Sequence, residues 1–327
     1  MNKEDILCFE INESIDTNIR LDIYIKNHTT FSRTYIGMLI EEGNVSVNNK
    51  TVKKSSYKTK ICDKITVKKK EIETLDIIPE NLPLKILYED DDILIIDKER
   101  GMVVHPSNGH FNNTLVNAIM YHCKDNLSSI NGIVRPGIVH RIDKDTSGIL
   151  CICKNDISHK NIALQFASHT NIRKYKAIVR GIIKQDDGYI DKPIGRDKRN
   201  RLKMAIDLGG KEAKTYYKVI KRFYTTNTNS KFENGYTYIE CELFTGRTHQ
   251  IRVHMKDLGN PLLGDLIYGK LDKDFKELDG QILHAYYLEI NHPTTGERIK
   301  FESEIPHYFK NVLDNLYEKE RRKKEKY

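Results

Sequence analysis

Apolar positions along this chain come in short blocks, and their spacing changes character near residue 85. Before that point the segments are small. DILCFEI reads as a strand within residues 1–15. Thr17 or Asn18 is placed to cap a first helix over Leu21 to Lys26. Ser32 is placed to cap a second helix, with Ile36, Leu39 and Ile40 on one face and Gly43 just past its end. Asn44 to Val47 alternates, a turn follows at Asn48-Asn49-Lys50, and Lys64 to Lys68 completes a small sheet. A core this small fits an accessory module over 16–70 better than an enzyme. Residues 71–84 carry prolines and weak periodicity and read as a linker.

From Lys85 the pattern predicts a strand, an acidic turn, a second strand, and a Gly turn entering another short strand. Thr114–His122 and His159–Ser168 read as helices. Between them lies RPGIVHRIDKDTSGILCICKN, residues 135–155. Its first part, Gly137 to Gly148, is a polar loop, and Ile149 to Cys153 is an apolar run typical of a buried strand. A polar loop fixed on a buried strand holds side chains rigidly at a cleft edge. The plain alternative is a solvated turn with Thr146 and Ser147 as local caps. Further strands are predicted in RKYKAIVRG (173–181), AKTYYKVI, and LHAYYLEINHPTTGE (283–297). The flanks of HQIRVH also read as strand, and Pro306–Glu320 as a terminal helix. These segments outline a larger domain over 85–317 and a basic tail over 318–327.

Composition narrows the classes. The chain is 39% hydrophobic and 31% charged, with no run near the ~20 apolar residues of a membrane span. Its start lacks a basic segment followed by an apolar one, so a cytoplasmic protein is expected. Six scattered cysteines form no CxxC pair, and Cys151 and Cys153 are expected in the core. The net charge is +8, and the basic excess of residues 16–70 suggests a polyanionic partner. No Walker loop and no GxGxxG after a strand is present, so no cofactor is expected. His249, Gln250 and His254 in HQIRVH have the wrong spacing for a helical ligand pair and no carboxylate or cysteine to complete a set, so no metal is expected.

HRIDKDTSG resembles the signature of the RluA/RluD-type pseudouridine synthases, with Ile142 in place of the usual leucine. The resemblance makes Asp143 the catalytic residue, and Arg141 the residue that enters the space left by a flipped base. RKYKAIVRG is similar to the second motif, whose aromatic residue falls on Tyr175. PIGRDKRNRLKMAI is similar to a loop that presses on RNA, with Lys198 where a proline is usual. LFTGRTHQIRVHMKDLGNPLLGDLIYG (243–269) matches the third motif, whose arginine falls on Arg252. That guanidinium, held through its planar fork against Asp143, would balance its charge and fix its orientation. Substrate contacts are implied for Arg141, Arg196, Arg247, His249 and Gln250. Glu99 stands where the family has proline, and His105 is expected to be structural. In the first segment, LDIYI, SRTYIGMLIEEGNVSVNN and CDKITV resemble the S-four-type RNA-binding domain. Arg20, Arg33, Lys50, Lys53 and Lys54 are its matching basic positions, suited to phosphates rather than bases.

The resemblances imply an α+β chain: a helical and hairpin RNA-binding domain, then a catalytic domain with a mixed, mainly antiparallel central sheet flanked by helices. They imply a monomeric pseudouridine synthase acting on structured RNA, with large-subunit (23S) ribosomal RNA or its precursor particle as the target and transfer RNA as the alternative. Whether Asp143 attacks the sugar or opens a glycal route stays open. Two rivals remain: a non-catalytic RNA binder or assembly factor, and a hydrolase built on Asp143 with Asp145.

Overall fold

The computed structural model describes residues 6–29, 31, 33–69, 77–106, 111–124, 126–130, 136–200, 202–224 and 235–324. Ser32, Arg135, linker residues 71–76 and tail residues 325–327 fall outside them. The chain divides into two units, Met1–Thr74 and Leu75–Tyr327.

The first unit contains β1 (Ile6–Glu10), α1 (Leu21–Asn27), α2 (Arg33–Glu41), β2 (Val45–Val47), β3 (Lys50–Thr51) and β4 (Lys64–Lys68). The strands form one antiparallel sheet in the order β1-β4-β2-β3. β1, read above as a segment preceding the module, is therefore an edge strand of its sheet. The apolar spacing works as expected: Leu21 and Ile25 of α1 and Ile36, Leu39 and Ile40 of α2 are fully buried over Val45, Ile65 and Val67. Asn48 and Asn49 stand at φ 50° and 62°, the left-handed pair that a two-residue hairpin turn requires. The cap of α1 differs from expectation. Arg20 occupies that position without a side-chain cap bond, and Thr17 and Asn18 lie before it. The backbone N–H groups of Leu21 and Asp22 instead donate to the carbonyls of Tyr57 and Ser55, at 2.8 and 3.4 Å. A loop from across the unit thus satisfies the helix start that a local side chain was expected to satisfy.

In the second unit the elements run β5 (Ile86–Glu89), β6 (Ile93–Lys98), α3 (Leu115–Cys123), β7 (Ser147–Cys153), α4 (Asp156–Ala167), β8 (Ile172–Arg180), β9 (Asp187–Asp191), β10 (Ile194–Arg196), β11 (Met204–Ile206), β12 (Lys214–Tyr224), β13 (Gly235–Leu243), α5 (Gln250–Asp257), β14 (Leu283–Asn291), β15 (Arg298–Glu302) and α6 (His307–Lys324). The central sheet has the order β5-β6-β7-β14-β8-β13-β12-β9, with β15 beside β14. Only the short β7–β14 pairing is parallel, so the sheet is mixed and mainly antiparallel. β14 lies in the middle although it comes late in the chain.

Alternation along each strand sorts the two faces. Leu94, Ile96, Leu150, Tyr175, Ala177 and Cys241 pack on one side with Ile251 and Met255 of α5. On the other, α6 covers Ile178, Phe223, Tyr236 and Tyr238, while Ile162 of α4 packs on Ile93, Ile149 and Leu288. Thr114 caps α3 through a reciprocal bond with Asn117. Asn155 caps α4, which begins three residues earlier than the apolar pattern suggested.

Two predicted strands are absent. The segment after Gly101 contributes only one isolated bridge, Val103 with Thr114. HQIRVH, whose flanks read as strand, lies at the start of α5, and its C-terminal flank continues that helix. Every residue from Gln250 to Met255 is buried, which removes the polar face that marks a helical period.

Candidate active site

The loop before β7 is tied down at each end. Gly137 has φ +68°, and a Cβ there would meet the Cys153 carbonyl at 2.6 Å. Gly148 has φ +120°, and a Cβ would fall 2.2 Å from the Ala285 carbonyl, so only glycine lets β14 approach β7 here. The hydroxyls of the Thr-Ser-Gly run hold the loop rather than face solvent. Gln281 Nε2 donates to Thr146 Oγ1 at 3.0 Å. Ser147 Oγ lies 2.8 Å from His284 Nδ1 and 2.7 Å from the Tyr308 hydroxyl.

Beneath the loop sits Lys98, a fully buried lysine. Its ammonium donates to the carbonyls of Glu99, Met102 and Lys144 at 2.6, 2.9 and 3.0 Å. Burial pushes its pKa down to about 8, against the pull of Asp145 and Asp143. The Lys144 carbonyl also accepts from Gly101 N at 2.9 Å, so the residue after Asp143 is pinned twice.

Asp143 projects into a cavity of about 600 Å³, lined also by Arg141, Tyr175, Arg247, His249 and Arg252. Arg252 Nη1 donates to Asp143 Oδ2 at 2.9 Å. The expected fork on Asp143 is not there. Nε and Nη2 of Arg252 donate instead to Asp265, at 2.7 and 2.9 Å, and Asp265 is fully buried at its side chain. Burial alone disfavours the Arg252 charge, but the bonds and ion pairs with Asp265 and Asp143 more than offset it and raise its pKa. Tyr268 supports the group from beneath: its ring lies 5.0 Å from the guanidinium carbon. Its hydroxyl accepts from Met204 N at 2.7 Å and lies 2.8 Å from His249 Nδ1.

His249 stands at φ +57° at the start of α5, with Nε2 3.8 Å from Asp143 Oδ1. Burial lowers its pKa, and Asp143 opposes that. His254 points elsewhere, to Thr215 Oγ1 and the Lys192 carbonyl at 2.9 and 3.0 Å, so the two histidines of HQIRVH share no site. Tyr175 is buried on β8; burial raises its pKa, with Arg173 lowering and Asp143 raising it further. It is therefore a neutral phenol at neutral pH.

Gln250 lines the same cavity, but its side chain is engaged by the protein. Its side-chain oxygen accepts from Thr245 Oγ1 and Arg247 N at 2.8 and 2.9 Å. Its nitrogen donates to the Lys214 carbonyl and Thr215 Oγ1, both at 3.0 Å. With the amide saturated by protein partners, it fastens the loop that carries Arg247 and leaves no polar group for a substrate. Arg196 is exposed on β10 and is not part of the cavity wall among the described residues. Asp145 is likewise outside the wall, and its Cβ lies against Gly280. Among the described residues, that leaves Asp143 without the second facing carboxylate that the hydrolase reading needs.

Asp265, Tyr268 and Lys98 were not picked out from the sequence. A signal for Asp265 did exist: an acid within LLGDLIYG, among apolar neighbours, is stable only if paired.

In the first unit Arg20 Nε and Arg33 Nη2 converge on the buried Asp22, at 2.9 and 2.8 Å. Burial works against the Asp22 charge, but the two arginines lower its pKa overall. Lys50, Lys53 and Lys54 are exposed.

The family model described as RNA pseudouridylate synthase matches residues 92–257, and one described as S4 domain matches residues 19–65. An uncharacterized RNA pseudouridine synthase of Bacillus subtilis is 45% identical over 317 residues, 97% of this chain and 99% of that protein. The chain belongs to the RNA pseudouridylate synthase family. The ribosomal large subunit pseudouridine synthase D of Zymomonas mobilis is 43% identical over 287 residues, covering 85% of this synthase and 87% of the relative. A solved human protein, RNA pseudouridylate synthase domain containing 1, shares the synthase fold with a TM-score of 0.54 at 22% identity, over 73% of this chain and 96% of that one. The synthase thus joins an S4 domain to a catalytic domain whose matched region holds Asp143, Tyr175 and Arg252.

Proposed function

We propose that this synthase modifies uridines of large-subunit ribosomal RNA, with Asp143 as the catalytic carboxylate and with the target nucleotide turned out of its stack. The observation that carries the reading is the Asp143–Arg252 bond of 2.9 Å inside a cavity that also holds the buried Tyr175. In the reaction, the bond from the ribose to a ring nitrogen breaks, the base turns, and a ring carbon joins the same sugar carbon. That ring carbon loses its proton and the ring nitrogen gains one, so atoms balance without an external reagent. A carboxylate beside the sugar serves either route, as the group that attacks it or as the group that removes its proton.

A cavity of about 600 Å³ suits one nucleoside and excludes a paired one, which supports extrusion of the base. Arg141, exposed at the cavity wall two residues before Asp143, is suited to the space that the base vacates. Tyr175 offers a face for stacking and a hydroxyl for proton transfer. Arg20, Arg33, Lys50, Lys53 and Lys54 of the S4 domain supply phosphate contacts. The choice of ribosomal RNA is supported by the names of relatives such as the Zymomonas mobilis enzyme.

Pseudouridine mapping in RNA from cells lacking the protein, complemented with the parent or with Asp143→Asn, tests the reading. Sites in large-subunit RNA should be lost in the deletion, return with the parent, and stay absent with Asp143→Asn. Restoration by the asparagine variant would remove Asp143 from the chemistry, and loss confined to transfer RNA would redirect the substrate.

A further inference from the structure

Arg173 lies on β8 two residues before Tyr175, so both side chains leave the same face of the strand and both line the cavity. It is buried, with a relative exposure of 7%. Yet no ion pair or hydrogen bond reaches its guanidinium among the described residues, and its buried Nε has no partner. Its neighbours do not compensate the charge. Phe166 offers a ring 5.2 Å away, and His140, stacked on that ring, is neutral because burial and Arg173 press its pKa down to about 3. Arg247 and His169 line the same part of the wall, and Arg247 acts against the Arg173 charge. Gly246 keeps the approach open, since a Cβ there would stand 2.7 Å from Arg173 Nη1.

A buried cation beside a second cation is unfavourable unless an anion completes it. The catalytic-end carboxylate of the cavity is engaged: Asp143 is held by Arg252. We propose that Arg173, with Arg247 beside it, binds a phosphodiester oxyanion of the nucleotide whose uridine occupies the Asp143–Tyr175 end of the cavity. This rests on the reading of that end as the uridine site. Tyr175 and Arg173 stand two positions apart on the strand, about 6.8 Å, a span that lets one nucleotide reach both with its base and its phosphate. Planar guanidinium geometry suits two phosphate oxygens at once. The site would convert an RNA phosphate into a positional stop that sets the ribose against Asp143.

The test uses the full chain and needs no turnover. Thermal midpoints are measured in inorganic phosphate and in chloride at equal pH and ionic strength, for the parent, Arg173→Met and Arg173→Gln. The parent's phosphate-induced rise should exceed that of either variant by about 2–4 °C at a few times the Kd. In chloride the methionine variant should melt no lower than the parent, since an uncompensated buried charge has been removed. If it fails to fold, the glutamine variant carries the comparison. Uridine 5′-monophosphate and uridine 3′-monophosphate are then compared, and the one with the larger Arg173-dependent shift identifies which linkage is held. An equal phosphate rise in parent and variants, or none in the parent, overturns the proposal. So do nucleotides that stabilise the parent no better than inorganic phosphate. Turnover by Asp143→Asn would defeat the catalytic reading and leave these shifts untouched.

Discussion

Asp265 engages two of the three guanidinium nitrogens of Arg252 and leaves the third, Nη1, to donate to Asp143 at 2.9 Å. The arginine is therefore built into the protein through one acid and presented to Asp143 and the cavity through its remaining edge. Arg252→Lys retains the charge but cannot serve both acids, so Asp265 is left buried and imperfectly paired. That variant should lose about 3–5 kcal/mol of stability, the range for breaking a buried pair, together with most of its rate. Asp265→Asn should lower kcat more than it raises KM, because Arg252 is loosened while the cavity wall persists. Thermal unfolding and single-turnover assays check both, and a lysine variant as stable and fast as the parent would refute this division of labour.

Tyr175 separates into ring and hydroxyl. The ring packs in the core beside the cavity, so Tyr175→Phe should fold normally and bind RNA as the parent does. If the hydroxyl moves a proton, kcat should fall by about 10²–10⁴-fold, the range for a positioned acid or base. Unchanged kcat would confine the residue to stacking.

His140 makes stability acid-sensitive. Its Nε2 accepts from Cys151 N at 2.9 Å, which requires a neutral ring. Its folded pKa is about 3 against an ordinary 6.5. Between those values the unfolded chain binds the extra proton, so this contribution is intact above 6.5 and is lost as pH falls towards 3. His140→Gln retains an acceptor that does not titrate in that range and should flatten the loss. Chemical denaturation from pH 7 to 4 measures it, and identical slopes for the two proteins would contradict the assignment.

Deleting residues 1–74 should leave a folded catalytic domain, because the clusters on both faces of the central sheet begin at Ile77 or later. The truncated protein should bind structured RNA more weakly, and its salt dependence should flatten by about 0.7–0.9 in log–log slope for each phosphate it no longer neutralises. The uridine chosen in a short stem-loop should stay the same, since phosphate contacts position rather than specify. An unchanged slope on folded RNA would assign the S4 domain another partner.

The residues proposed to carry chemistry were legible because each sits in a locally distinctive run: Asp143 between glycines, Tyr175 in a basic strand entry, Arg252 in the third block. The cavity brings these together. Their supports were less visible. Lys98 looks like any strand-end lysine until three backbone carbonyls surround it, and Arg173 like any member of a basic strand entry until the cavity wall encloses it. Burial is decided by what packs from elsewhere in the chain, which local periodicity does not encode. The same cause hid α5, where burial on every side erased the helical period.

The place of β14 bears on when the protein becomes active. Among the described residues it is the one strand that joins β5-β6-β7 to β8-β13-β12-β9 in the central sheet, yet it starts only at Leu283. Asp143 precedes β7 on one side of that seam, and Tyr175 lies on β8 on the other. A growing polypeptide that stops short of Leu283 carries these groups on two unjoined half-sheets. Pairings so distant in sequence form slowly and late. The ribosome must therefore have passed β14 before its new product can modify any RNA, and a premature stop just ahead of Leu283 should yield an inactive protein with every signature motif intact.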